Sequence, residues 1–503
     1  MVQRIVMRGL SGSVVCAATL TCGLGERTAS ASPVFELAGA STGTGGYAAR
    51  ATGPSSASTY FNPALLARAT PEFTIGVLVL SAQMSMTLDG RTHGDVPLVV
   101  GGRGAFDKSG NPISNATVPT QWLQNGCPAS QCGNPPFPAR PRQGAGNGNE
   151  THTYTVIGLV DRLISDRLVL GLYALVPIGD FTSAQSFYND EREQFFSNSL
   201  HPEMYSDRMT ATSLALGAGG KITDRLSVGL SFTLDLKNIA QSGTYVRDPI
   251  DYSKLFISND IHVKPSVSPH FGVAYDPLDW LHLSGTVHSE QKFEIVTGIT
   301  AVLPAGNESG TSRTEVHDFL PWTFGAGVGI DLNRGAPNEF TIVGEVKYAL
   351  WSDYLDRHGE SPGANGQNFS DVLSPTLGLH HHASRFDTFL DVTYQPTPVP
   401  LQTGRENYVD NDRVGAILGG EYRFPISSLH FKVGVQAQAQ RLIPRHQTKD
   451  DSKIVDELPD DAVDSHGVVI PGAAGLQTNN PGWPGFASEG WVLGGAVTAS
   501  LLY

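Results

Sequence analysis

Apolar and polar residues alternate with a period of two over long stretches between Phe73 and Tyr503, the pattern of strands whose two faces meet different surroundings. Leu226, Val228, Leu230, Phe232, Leu234 and Leu236 alternate with Ser227, Gly229, Ser231, Thr233, Asp235 and Lys237. Leu429, Phe431, Val433, Val435, Ala437 and Ala439 alternate in the same way with His430, Lys432, Gly434, Gln436, Gln438 and Gln440. The polar face is too polar for a packed core. Alternation alone therefore fits either a soluble sandwich or a closed barrel.

The pattern predicts fourteen strands, at about 72–88, 151–163, 167–180, 207–222, 225–239, 262–275, 280–296, 315–332, 339–352, 374–383, 387–396, 412–424, 429–441 and 489–503. Tight turns near Asp166, Asp224, Pro277, Asn333, Ser384 and Ile426 alternate with much longer connections, at about 91–150, 181–206, 297–314, 353–373 and 442–488. Short turns at one end and long loops at the other select the architecture of an outer-membrane barrel. Closure also satisfies every backbone group in lipid, where an open sheet edge costs several kcal/mol per group.

Composition agrees with strands rather than helices. The 503 residues include 56 Gly and 32 Pro, and only 16% are charged, against about 25% in an average domain. Beyond residue 31 no apolar run reaches the roughly 18 residues of a spanning helix, which excludes a bundle of spanning helices. Residues 1–31 carry Arg4 and Arg8, an uncharged stretch from Leu10 to Gly25, and Ala29-Ser30-Ala31, so they read as a secretory signal peptide. That segment holds Arg4, Arg8, Glu26 and Arg27, net +2, which leaves −16 of the formal −14 on the remainder. So acidic a chain has no counterion-release drive toward phosphates, and nucleic acid is excluded as a partner. Cys127 and Cys132 are the cysteines left in the exported chain. They are expected to close a small disulfide loop, a zinc pair needing two further ligands.

Residues 32–71 lack strand periodicity and are rich in Gly, Ala, Ser and Thr. They hold Gly39-Ala-Ser-Thr-Gly43-Thr-Gly45-Gly46-Tyr47 and then Tyr60-Phe61-Asn62-Pro63-Ala64-Leu65. A small-residue N-terminus, that motif and an alternating barrel together resemble the FadL-type outer-membrane transporters of long-chain fatty acids and other hydrophobic compounds. Leu320-Pro321-Trp322, Trp351-Ser352-Asp353-Tyr354, Pro396-Thr397-Pro398-Val399-Pro400 and Gly419-Gly420-Glu421-Tyr422 extend the resemblance along the chain. The connections 91–150 and 442–488 depart from it by their greater length.

The resemblance implies an all-β, fourteen-stranded antiparallel barrel over 72–503, with residues 32–71 folded inside it as a hatch. It implies passive uptake, hatch-gated lumen binding and lateral exit through a kinked wall strand, for which Pro177 and Gly179 are the candidates, Pro having no N–H for the ladder. Fatty-acid carriage needs an inward cation; Lys237 and Arg357 lie near positions where the family places such residues. Phe35 is the candidate aromatic that enters the pocket. Alternative readings are a general diffusion porin and a structural or adhesive barrel working through its long loops.

The remaining motifs carry less. Gly43-x-Gly45-x-x-Ala48 lacks the βαβ setting and the acidic residue of a dinucleotide fingerprint. His380-His381-His382 place successive rings on opposite strand faces and do not share one metal ion. No G-x-S-x-G elbow occurs, and no enzyme activity or cofactor is expected. Expected partners are a hydrophobic small molecule, outer-membrane lipid and lipopolysaccharide, and barrel-assembly machinery reading the C-terminal strand that ends at Tyr503. A monomer is expected.

Overall fold

A computed structural model of the chain describes residues 33–90, 105–113, 145–164, 167–179, 201–202, 212–236, 242–247, 254–263, 266–302, 308–355, 361–362, 368–427, 429–456, 458–464, 466–470, 473–478, 480 and 482–503. The expected signal peptide, Cys127, Cys132, Lys237 and Arg357 lie outside these residues. Fourteen strands form a closed antiparallel ring. They are β1 (Glu72–Leu88), β2 (Ala145–Ile164), β3 (Leu168–Pro177), β4 (Thr212–Lys221), β5 (Leu226–Leu236), β6 (Ser266–Leu278) and β7 (Leu281–His288). The ring continues with β8 (Thr323–Leu332), β9 (Asn338–Ala349), β10 (Val372–Ala383), β11 (Phe386–Gln395), β12 (Arg413–Ile426), β13 (Leu429–Thr448) and β14 (Gly485–Leu502). Each strand pairs with its sequence neighbours, and β1 closes on β14 from Glu72↔Leu502 to Leu88↔Phe486.

The facing follows the alternation. On β5, Ser227, Ser231 and Thr233 are buried while Leu230 and Phe232 are exposed. On β13, Lys432, Gln438 and Gln440 are buried while Val433 and Val435 face out. The outward face of the ring is therefore apolar, and exposed aromatics stand on it at two levels. Trp280, Tyr275, Phe386, Tyr422 and Tyr503 lie near the short turns, and Trp322, Tyr348, Tyr394 and Trp491 near the long connections. No helix among the described residues is long and apolar enough to cross a membrane.

Two strand extents differ from the sequence expectation. The pattern at 280–296 and 315–332 suggests single strands, whereas the ring strands end at His288 and resume at Thr323. Residues 291–302 and 308–320 instead pair with each other, in a four-stranded sheet that also holds 254–263 and 242–247. Pro321 cannot donate to a ladder and marks the break. Alternation persists across a change of partner, so its period does not reveal the change. The strands β13 and β14 also extend toward each other, leaving 449–484 between them rather than 442–488.

The residues before β1 form helix α1 (Pro33–Ala38), helix α2 (Ser58–Phe61) and a 3-10 turn over Pro63–Arg68. They lie against inward faces of the ring. Val34, Phe35 and Tyr60 pack with Leu78, Leu80, Tyr154, Tyr173 and Val492 of β1, β2, β3 and β14 in the largest apolar cluster. On other sides, Tyr47 Oη donates to Gln438 of β13 (2.6 Å), and Asp391 of β11 accepts from the N–H groups of Tyr47 (2.9 Å) and Ala48 (3.1 Å). Asn62 is fully buried; its amide donates to the Arg50 carbonyl (2.8 Å) while its Oδ1 accepts from Ala64 N–H (3.1 Å), capping the turn that follows. Glycines make room for this approach, since a Cβ at Gly229 would meet the Pro63 backbone and one at Gly272 the Asn62 side chain.

Candidate functional site

Between α1 and the wall strands β6 to β12 lies a cavity with about 80 Å³ of room for the centre of a water-sized sphere. Its floor comes from Glu36, Leu37 and Tyr60, and one wall from His270 of β6 and His288 of β7. Toward the long connections it is lined by Leu320, Pro321, Trp351, Val372, Pro396 and Pro398. There it abuts a buried aromatic cluster of Phe319, Trp351, Tyr354, Phe369 and Tyr408, in which Tyr354 and Phe369 stack at 4.2 Å. A smaller cavity of about 20 Å³ lies on the other side of Glu36 and Lys347, which line both. Ser374 and Gln395 also line both, and these four residues form a partition between the cavities whose charged members are Glu36 and Lys347.

The partition is an ion network. Helix α1 turns Phe35 and Glu36 to different surroundings. Phe35 stacks on Tyr173 (4.9 Å) and Tyr60 (4.6 Å) in the apolar sector, whereas Glu36 reaches the polar one. Oε1 of Glu36 accepts from Tyr60 Oη (2.8 Å) and pairs with Arg50, and its Oε2 accepts from Lys347 Nζ (2.7 Å). Arg50 also meets Glu345 of β9, through its backbone N–H (3.1 Å) and its guanidinium (3.6 Å). Burial alone would raise the Glu36 carboxyl, but Arg50 and Lys347 outweigh it and hold that carboxyl well below the usual range. Arg413 of β12, the other cationic lining residue of the larger cavity, interacts with the buried Asp410, whose carboxyl is pushed up by burial and drawn down by Arg413.

The two imidazoles are held differently. His270 Nε2 lies 2.6 Å from Thr233 Oγ1, His288 Nε2 lies 3.2 Å from the Phe61 carbonyl it bonds, and the rings are 4.2 Å apart. Tyr60 stands edge-on to both. Among the described residues no group of three or more His, Cys, Asp or Glu could hold a metal ion. His380 is buried against Asp391 (2.9 Å), whereas His381 approaches Asn338 (3.0 Å), the opposite facing that alternation requires.

Of the residues expected from the sequence, the structure brings Phe35, Tyr60 and Phe61 together, with Asn62, Pro63 and Ala64 directly behind them. Pro177 is the last residue of β3, and Gly179, with φ at +120°, follows it in a bend. Lys237 and Arg357 lie outside the described residues. Sequence reasoning missed Glu36, Arg50, His270, His288 and Lys347. One signal was available, because Glu36 and Arg50 are the only charged residues between 32 and 67, and isolated charges in a small-residue segment call for partners.

No protein-family model matches the sequence, and no curated protein matches it. Solved structures similar to this chain include a FadL homologue from Pseudomonas aeruginosa, at 13% identity and a TM-score of 0.48, covering 95% of this chain and 99% of that one. The toluene transporter TodX from P. putida is similar at 11% identity and a TM-score of 0.44, covering 93% and 99%. The toluene transporter TbuX from Ralstonia pickettii is similar at 11% and 0.41, covering 95% and 99%. The closed ring itself rests on its strand pairing and not on these likenesses, whose TM-scores are below 0.5.

Proposed function

We propose that the chain is an outer-membrane barrel that takes up hydrophobic compounds passively, with residues 32–71 as a hatch that must shift for solute to pass. The observation that carries this reading is the sidedness of the ring. Its outward face is apolar and exposed between two levels of aromatics, which suits a bilayer with an interfacial belt at each surface. Its inward face meets the buried segment before β1 among the described residues. A general porin would need an open lumen.

In this reading solute enters from the end with the long connections, past the aromatic cluster around Trp351 and Tyr354, and reaches the cavity above Glu36 and Lys347. Phe35 moves as the hatch yields, and the motif from Tyr60 to Ala64 sets the resting position. Long-chain fatty acids, aromatic hydrocarbons and related lipids are the candidate solutes; Lys237 and Arg357 are the proposed cations for a carboxylate-bearing one. Exit is proposed sideways near Pro177 and Gly179. The C-terminal strand ending at Tyr503 is proposed to meet the assembly machinery, and the barrel to contact lipid and lipopolysaccharide as a monomer.

The test is uptake of labelled oleate and labelled toluene by cells that lack their own hydrophobic-compound transporters and express this chain, with a labelled sugar as control. Uptake of either hydrophobic probe that falls when Asn62 and Pro63 are both replaced by Ala supports the hatch-gated reading. Sugar uptake alone would establish a porin instead.

A further inference from the structure

Resting on the uptake reading, we infer that the cavity above Glu36 selects uncharged hydrophobic solutes, and that Glu36 does so by occupying the cations a carboxylate would need. Two cationic side chains line the larger cavity among the described residues, and both have an acidic neighbour. Lys347 is bound by Glu36 Oε2 at 2.7 Å, and Arg413 interacts with Asp410. Arg50, behind the partition, is held by Glu36 and Glu345. Glu36 is thus the acidic group that Lys347 and Arg50 share.

A solute carboxylate arriving here would add a negative charge beside Glu36, which already binds Lys347, in a site where only 18% of the Glu36 side chain reaches solvent. Like charges at short range in such a site repel strongly, and a buried carboxylate without a partner is costly. A neutral solute meets neither penalty. Its polar head, if it has one, finds hydrogen-bonding groups in Gln291, Ser374 and Gln395, and its apolar body lies against Trp351 and Val372. The Glu36 carboxylate stands, in effect, where the head of an acidic solute would otherwise bind.

The experiment is calorimetric titration of the full chain in detergent micelles at pH 7.5 with 1-hexanol and with hexanoate, two probes of one shape that differ in charge, each corrected for empty micelles. Hexanol is expected to bind at least ten-fold more tightly than hexanoate. Replacing Glu36 by Gln keeps the side chain's shape and its acceptor, releases Lys347 from its carboxylate partner, and should raise hexanoate affinity at least ten-fold with hexanol changed less than three-fold. The double variant Glu36→Gln/Lys347→Gln should lose that gain. Wild-type protein that binds hexanoate as tightly as hexanol overturns the inference without any variant, as does a Glu36→Gln protein whose preference is unchanged. If neither probe binds wild-type or variant protein, the uptake reading itself falls, and this inference with it.

Discussion

Lys347 and Glu36 are 311 residues apart in sequence, yet Nζ of the lysine lies 2.7 Å from Oε2 of the glutamate. The pair joins a wall strand to the first helix before the ring and lies between two cavities. Tyr60 and Arg50 hold the other carboxylate oxygen, so the contact is one bond in a set of three and loss of the lysine alone leaves Glu36 partnered.

That arrangement fixes the expected effect of Lys347→Met. The variant should remain folded and lose about 2 kcal/mol, the scale of one charge-assisted hydrogen bond. A double-mutant cycle with Glu36→Gln, read by thermal unfolding in detergent, should return a coupling of about 1–3 kcal/mol. Zero coupling would mean that Arg50 and Tyr60 alone position Glu36.

Gly229→Val tests whether the segment before β1 depends on the close approach of the wall. A side chain at this inward position would drive into the Pro63 backbone, and backbone in a capped turn has little freedom to retreat. The ring, whose ladders do not involve that side chain, should keep its heat-modifiable mobility on electrophoresis. Trypsin should then cut at Arg50 or Arg68, sites protected in the wild type. Continued protection of both would show that the segment accommodates the branch.

Asp391 clamps the same segment from the opposite wall, accepting from two backbone N–H groups and from His380. Asp391→Ala orphans those buried donors, at about 1–3 kcal/mol for each group left unsatisfied. In planar bilayers the variant should show larger or more frequent conductance steps than wild type. An unchanged trace would place the resting position of the segment elsewhere, on Asn62 and the apolar packing of Phe35.

These residues also mark how far the sequence could be read. The fourteen strands and their facing were legible because one physical cause, an apolar surround outside and a polar interior, acts at every second position from Phe73 onward. The departure at Ser289–Trp322 was not legible, since alternation continues when a strand changes partner. Phe35 and the Tyr60–Ala64 motif could be singled out through the family resemblance of the short segment that holds them. Lys347, His270 and His288 could not. Each sits at an ordinary polar position of its own strand, and only closure of the ring brings them to one cavity. Glu36 differs, because it and Arg50 are the only charges between 32 and 67, a visible anomaly of which only the partner on the wall, Lys347, was hidden.

Lys449, just past the end of β13, gives the protein a pH dependence at the end with the long connections. Its ammonium donates to the Glu406 carbonyl at 2.5 Å and lies 5.5 Å from the Phe486 ring centre. Burial lowers its pKa from 10.5 to about 7, with Glu406 opposing only in part. The folded pKa is below the unfolded one, so between pH 7 and 10.5 the unfolded chain binds the extra proton and stability rises with pH. Below about pH 7 both states are protonated and the full penalty remains, at most about 5 kcal/mol. Lys449→Met keeps the stem against Phe486 and removes the charge. It should therefore unfold at a higher temperature than wild type at pH 7, with the difference shrinking as the pH approaches 10. A constant difference across that range would mean that the lysine is neutralised by a partner rather than by titration.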